Sequence, residues 1–218
     1  MNLFERKYAK KHREWQRFEH KLQLADIILV RTKKSLIAKI IQKITGSYWD
    51  HVALVFMVPN KKLSFYNYLV IEVNRKGLEV HRIQEYTENF RNYDIGVKRI
   101  MGLDDATKKK VLSFMLNQVD KPYDMPRILG FLLRSFDVNI LKNFSHLFVD
   151  KQDFICSTFI QEAFLKALPQ DQQDKAMFVK LKNKRDNKNT DNDDLLNYVS
   201  PADVAKSANA KWLYNERD

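Results

Sequence analysis

The apolar run His51-Val52-Ala53-Leu54-Val55-Phe56-Met57-Val58 is one of a series of strand-like segments. Its length and its β-branched and aromatic side chains are typical of a buried strand. The turn-forming residues Pro59-Asn60-Lys61-Lys62 follow it directly. Because the run begins with a histidine, the sequence places an ionisable side chain at the start of a buried strand.

Further strand-like segments lie on both sides of this run. They are short and rich in apolar or alternating side chains, and they cover residues 25–31, 66–73, 78–83 and 93–100. Between two of them, Asn74-Arg75-Lys76-Gly77 has the composition of a tight turn, with glycine where a positive φ costs little. The pattern predicts a meander of antiparallel strands.

Helical segments surround and follow the predicted strands. Beyond the N-terminal region, four of them have helical periodicity or capping residues; they begin near Ser35, Asp104, Cys156 and Ser200. The apolar stretch 125–148 is expected to be helical in parts. The predicted fold class is therefore α+β, with an antiparallel meander sheet packed against helices and an extra N-terminal helix.

The composition limits the class of protein. The chain has 218 residues and a single cysteine, so it cannot form an intramolecular disulfide or a zinc site of several thiolates. We expect no cofactor and no metal. The net charge of +11 favours anionic partners such as lipid headgroups. No zinc-finger, RNP-type or basic-zipper pattern is present, so no specific nucleic-acid binding is expected.

The sequence divides into a basic N-terminal helical arm, residues 1–23, and a domain over residues 24–218 that includes a mobile polar loop at 182–197. The arm is interpreted as a helix packed on the domain, with peripheral membrane contact as the alternative. No signal peptide and no apolar run of roughly 20 residues is present. A cytoplasmic location, or export by a route other than Sec, is therefore expected.

The one cysteine, Cys156, lies at the predicted start of a helix. Unsatisfied backbone N–H groups and the positive end of the helix dipole favour thiolate over thiol at such a position. A cysteine and a histidine that are distant in sequence can meet in a fold as nucleophile and base, and His51 is the candidate base. Taken alone, each residue also has an interpretation without catalysis. Cys156 could be a small buried side chain, and His51 could be a histidine of the core.

Glu72 is an acid within the apolar strand segment Leu69-Val70-Ile71-Glu72-Val73. Since burying an unpaired charge is costly, either Glu72 faces water or it has a partner, and an imidazole of the neighbouring strand could be that partner. The carboxylate would then orient His51 against the thiol. His81 is a rival base, but the alternation of its strand predicts that it faces solvent.

Several short segments, in this order, resemble the circularly permuted papain-like amidases of the NlpC type, in the YaeF/YiiX-like group. The resemblance covers roughly residues 24–210, and the segments are Asp26–Val30, Trp49–Val55, Val70–Val73, Lys121–Asp124, Cys156–Ile160 and Ser200–Ala205. One departure is Asp50, which stands where the group usually has a small or another polar residue before the histidine.

The resemblance implies a papain-like core in which the histidine comes early in the chain and the cysteine late. By position, Cys156 would be the nucleophile, His51 the general base and Glu72 the third, polar member, and Tyr123 would line the substrate site. The backbone N–H of Cys156 would be one oxyanion donor.

We therefore expect a cysteine hydrolase that cleaves an amide or other acyl bond through a thioester. The resemblance implies lipid-linked amides, N-acyl amino acids or peptides as substrates. The alternative is a catalytically inactive module on the same fold that binds lipid or another anion. The oligomeric state is not predicted.

Overall fold

One antiparallel sheet organises the part of the chain that the structure, a computed structural model, describes: residues 3–74, 77–117, 155–178 and 199–217. The strands in this part are β1 (Ile27–Thr32), β2 (His51–Met57), β3 (Leu69–Asn74), β4 (Gly77–Arg82), β5 (Tyr93–Ile100) and β6 (Ala210–Asn215). They are arranged in the order β4-β3-β2-β1-β5-β6. The predicted α+β class is confirmed.

The register of the sheet places the head of β2 beside the end of β1. Val30 pairs with His51, and Ile27 pairs with Leu54. On the other side of β2, Leu54 pairs with Ile71 of β3. The first four residues of β1 and the first five of β2 are buried, as expected for central strands covered on both faces.

The helices in the described ranges are α1 (Leu3–Phe18), α2 (Leu36–Thr45), α3 (Gln84–Thr87), α4 (Asp105–Leu116), α5 (Ile155–Ala167) and α6 (Pro201–Lys206). Short 3-10 helices cover Glu19–Lys21, Lys61–Leu63 and Gln170–Ala176. The sequence signals account for several of these ends. Ser35 caps α2, Asp104 caps α4, and Ser200 forms a capping box with Asp203 at α6.

Helix α5 packs on α4 and lies against β2 and β3. Its buried residues follow helical spacing and form one apolar face; they include Cys156, Phe159, Ile160, Ala163, Phe164 and Ala167. This face meets Val52 and Leu54 of β2 and Ile71 of β3 in one core cluster. The packing thereby brings the first turn of α5 to the sheet that carries His51 and Glu72.

The N-terminal helix α1 packs on the domain through its aromatic side chains. Trp15 and Phe18 are buried, and both contact the ring of Tyr214 in β6. These two rings therefore face protein rather than solvent. Peripheral membrane contact through the basic residues of the arm stays a prediction.

Strand β6 was not predicted from the sequence, although it pairs with β5 along Gly96–Ile100. Three predictions lie outside the described residues: the helical character of 125–148, the polar loop at 182–197, and the place of Tyr123. Within the described residues, no helix has the length and the apolar character that crossing a bilayer requires.

Candidate active site

Three elements that are distant in sequence supply the candidate catalytic side chains. His51 is the first residue of β2, Glu72 lies within β3, and Cys156 lies in the first turn of α5. All three residues are buried: His51 is 9% exposed, Glu72 5% and Cys156 0%. The structure brings these residues, which the sequence analysis had singled out, into one cluster.

The imidazole of His51 lies between the carboxylate of Glu72 and the thiol of Cys156. Its Nε2 atom is 3.0 Å from Oε2 of Glu72, and the ring also makes a hydrogen bond with the side chain of Cys156. Because Nε2 faces Glu72, Nδ1 is the nitrogen that can face the sulfur. The imidazole can therefore exchange a proton with the thiol on one side while the carboxylate holds it on the other.

The charges in this cluster reinforce one another. Burial alone would lower the pKa of His51, but the neighbouring charges of Cys156 and Glu72 outweigh burial and hold this pKa well above its ordinary value. Burial would likewise raise the pKa of Glu72, but His51 and the hydrogen bonds from His81 and Tyr86 hold it well below its ordinary value. The arrangement thus favours an imidazolium beside a carboxylate.

Glu72 has further partners that the sequence analysis did not find. The hydroxyl of Tyr86 in α3 donates to Oε2 of Glu72 at 2.5 Å, and Asn74 Nδ2 lies 3.4 Å from Oε1. The Tyr86 ring is buried. Tyr86 lies in a helix of only four residues, which is too short for a periodicity signal.

The expectation that His81 faces solvent was wrong. Its side chain is 15% exposed, and its Nε2 atom lies 3.4 Å from Oε2 of Glu72. In the register of the β3–β4 hairpin, Glu72 lies opposite Glu79, and His81 is two residues beyond Glu79. Since side chains alternate along a strand, His81 shares the face of Glu72 and reaches it diagonally.

Asp50 fixes the start of β2. Its Oδ1 atom accepts hydrogen bonds of 2.7 Å from the backbone N–H of Thr32 and from Nε2 of Gln42. The carboxylate therefore links the residue before His51 to the end of β1 and to α2. This residue departs from the usual pattern of the family that the sequence resembles, and its role in the structure is to anchor the strand that carries the imidazole.

A cavity of about 320 Å³ opens beside His51 and Glu72. Its walls combine the polar residues of the cluster with apolar and aromatic side chains; they include Val30, Ala38, Tyr86 and Tyr93. Such a mixture of apolar walls and a few convergent polar groups is typical of a small-molecule site. In the part of the chain that the structure describes, no group of three or more histidine, cysteine or acidic side chains could hold a metal ion.

A cysteine at a helix start, a histidine at a strand start and a carboxylate beside that histidine form the arrangement expected of a papain-like cysteine hydrolase. In this chain the histidine precedes the cysteine. Residues 21–214 match the family described as permuted papain-like amidase enzymes, YaeF/YiiX, C92 family, and the chain therefore belongs to that family. The protein is a cysteine hydrolase of the papain-like amidase or peptidase type, and the resemblance to the permuted YaeF/YiiX-like amidases found in the sequence is confirmed.

A solved structure shows the same fold. The chain is similar to YiiX from Escherichia coli O157:H7, described as a metalloprotein, with 20% sequence identity and a TM-score of 0.52. The match covers 89% of this chain and 97% of that one. No curated protein matches the chain.

Proposed function

We propose that the protein hydrolyses an amide or other acyl bond through a thioester on Cys156, with His51 as general base and acid and Glu72 as the residue that orients His51. The observation that carries this proposal is the position of the His51 imidazole between the Glu72 carboxylate and the Cys156 thiol. A general base must contact the nucleophile that it deprotonates, and an orienting residue must contact the base.

The first half of the reaction forms the thioester. His51 takes the proton of the thiol, and the sulfur attacks the substrate carbonyl carbon to form the C–S bond. The imidazolium then gives its proton to the leaving amine as the C–N bond breaks. The backbone N–H of Cys156, in the first turn of α5, is the proposed donor to the oxyanion that develops on the carbonyl oxygen.

The second half releases the acid. His51 takes a proton from water while the water oxygen attacks the thioester carbon, and the C–S bond breaks to give a carboxylic acid and the free thiolate. The Cys156 thiolate and the protonated His51 then form the ion pair that can attack the next substrate. Glu72 stays ionised throughout and stabilises the imidazolium.

The proposed substrates are lipid-linked amides, N-acyl amino acids or peptides. The cavity beside His51 supports a substrate with an apolar or aromatic group, because Val30, Ala38 and Tyr93 contribute to its walls. Tyr123 stays a predicted contributor to substrate binding.

The test uses the fact that the chain has one cysteine, so that thiol alkylation reports on Cys156 alone. We expect iodoacetamide to label the wild-type protein at pH 6–7 faster than a free thiol, and His51→Ala to slow the labelling. The matched control is His20→Ala, which removes an exposed histidine. Labelling as slow as that of a free thiol would favour the alternative, an inactive binding module on the same fold.

Turnover is tested with a panel of N-acyl amino acids and acylated peptides. Cys156→Ser and His51→Ala should each lower kcat by about 10³-fold or more while the circular dichroism spectrum is retained. Mass spectrometry of the enzyme during turnover should show the acyl group on the peptide that contains Cys156. An acyl adduct elsewhere, or full activity of Cys156→Ser, would contradict the thioester route.

A further inference from the structure

A second cavity, of about 410 Å³, lies on the other side of β1 from the active site. Alternation along the strand separates the two: Val30 and Thr32 line the cavity beside His51, whereas Arg31 and the following Lys33 line the second one. Helix α1 and the residues after β6 complete its wall. The second cavity is therefore lined by residues that the proposed catalytic cycle does not use.

The lining of this cavity is strongly cationic. It contains five basic side chains and two acidic ones, together with two tyrosines: Lys7, Lys11, Arg31, Lys33, Arg217, Asp94, Glu216, Tyr8 and Tyr48. With both acids ionised, the lining carries an excess of three positive charges. Such a concentration of one sign in a concave site attracts an ion of the opposite sign.

The two acids are engaged within the wall. Asp94 accepts hydrogen bonds from Lys11 and from the Tyr48 hydroxyl at 2.7 Å, and it lies 2.7 Å from Lys33 Nζ. Burial would raise the pKa of Asp94, but Lys11, Lys33 and Tyr48 lower it to about 2. Glu216 accepts from Lys11 at 3.1 Å and from the backbone N–H of Ile95. These contacts compensate part of the positive charge and hold α1 to β5.

The contacts of Asp94 and Glu216 do not satisfy every hydrogen-bond donor of Arg31. Its guanidinium lies 4.2 Å from the centre of the Tyr48 ring, and its closest approach to Asp94 is 3.8 Å. The Nε atom is buried and has no hydrogen-bond partner among the described residues. The guanidinium of Arg217 lies 5.7 Å from the same ring. A buried donor without an acceptor is costly. The Arg31 side chain as a whole is 35% exposed, so its terminal guanidinium nitrogens can donate to an anion oxygen in the cavity.

We propose that this second cavity binds a phosphate group. Phosphate presents several strong acceptor oxygens and up to two negative charges, which suits guanidinium groups that can donate two parallel bonds and lysines that act as point charges. A ligand there would contact α1, β1 and the C-terminal residues together. The phosphate could belong to a soluble phosphate monoester or to a phospholipid headgroup, because both present the same group.

The experiment measures binding by calorimetry with the full chain. The probes are inorganic phosphate, glycerol 3-phosphate, and phosphatidylcholine vesicles with and without phosphatidic acid. We expect binding of at least one phosphate-bearing probe at millimolar concentration or below. Arg31→Gln and Lys7→Gln should each weaken this binding by about tenfold, because each removes a charged donor. Binding of the soluble probes would indicate a soluble ligand, and Arg31-dependent binding of the vesicles alone would indicate a headgroup.

Two controls make the result specific to the cavity. Arg82→Gln and Lys62→Gln remove the same charges from exposed positions elsewhere and should leave binding unchanged. Cys156→Ala should bind as the wild type does, so the outcome is independent of whether the proposed hydrolysis occurs. The proposal is overturned if no phosphate-bearing probe binds, or if the control variants weaken binding as much as Arg31→Gln does.

Discussion

His51 Nε2 lies 3.0 Å from Glu72 Oε2, and this same oxygen is also approached by the Tyr86 hydroxyl and by His81 Nε2. Three donors from three elements thus converge on one carboxylate oxygen. A carboxylate held in this way cannot turn easily, so it fixes the plane and the tautomer of the imidazole. The orientation of the His51 imidazole beside Cys156 therefore depends on this carboxylate.

The first prediction concerns the charge of this carboxylate. Glu72→Gln keeps a side-chain oxygen that can accept from His51 but removes the negative charge that stabilises the imidazolium. We expect kcat to fall by about 10- to 100-fold, less than for loss of the nucleophile. The exposed Glu88→Gln is the control. Full activity of Glu72→Gln would mean that another residue orients His51.

The second prediction concerns the pH dependence of activity. The pKa of His51 is raised well above 6.5, because the charges of Cys156 and Glu72 outweigh the effect of burial. The imidazolium needed to protonate the leaving amine is therefore lost only as the pH rises through this elevated pKa. The alkaline limb of kcat/KM should lie well above pH 6.5, and in Glu72→Gln it should move down toward that value. An alkaline limb at or below pH 6.5 in the wild type would contradict the ion pair.

The same pKa shifts predict how stability varies with pH. The raised pKa of His51 contributes stability that is complete below pH 6.5 and is lost as the pH rises through the folded-state pKa. The lowered pKa of Glu72 contributes stability that is present above pH 4.5 and is lost as the pH falls through its folded-state pKa. The contribution of the pair should thus be largest between these two values. Urea denaturation of wild type and Glu72→Gln across this range measures the difference.

The fourth prediction isolates the hydroxyl of Tyr86. Tyr86→Phe keeps the buried ring and removes one donor to Glu72. We expect a loss of about 1–2 kcal/mol in the free energy of unfolding and a threefold to tenfold fall in kcat, since Glu72 becomes less firmly held. Tyr66→Phe, which alters a ring that is 69% exposed, is the matched control. If Tyr86→Phe lowers stability but leaves kcat and its pH profile unchanged, Tyr86 has no positioning role.

The sequence predicted the parts of this site that have local signals. The apolar run after His51, the helix start at Cys156 and the acid within β3 are each visible in the chain, and the resemblance to the family joined them. The contribution of Tyr86 was not found, because its helix of four residues is too short for a periodicity signal. That of His81 was missed because it depends on which residues lie opposite one another across strands. The turn at 74–77 did contain the information for His81: pairing of Asn74 with Gly77 puts Glu72 opposite Glu79, and alternation then assigns His81 to the same face.

Strand β6 was missed for a different reason. Its side chains are mostly half-buried or exposed, so it lacks the apolar run or the clear alternation that predicts a strand. It forms because the edge of β5 needs backbone partners. Its Trp212 also covers Gly96 of β5, where Trp49 packs from the loop before His51. The close approach of two indole rings to one strand explains why this position has no side chain.

The last prediction tests this close approach. A Cβ atom at position 96 would lie 2.8 Å from Cζ3 of Trp212 and 3.0 Å from Cη2 and Cζ2 of Trp49. Trp212 is 38% exposed and can move, but Trp49 is 2% exposed and is separated from His51 only by Asp50. We expect Gly96→Ala to lower the free energy of unfolding by about 1–3 kcal/mol and to lower kcat by shifting the start of β2. In a Trp212→Ala background, the added cost of Gly96→Ala should be smaller, because one of the two clashes is gone. Equal costs in the two backgrounds, measured by urea denaturation, would show that Trp212 does not restrict this position.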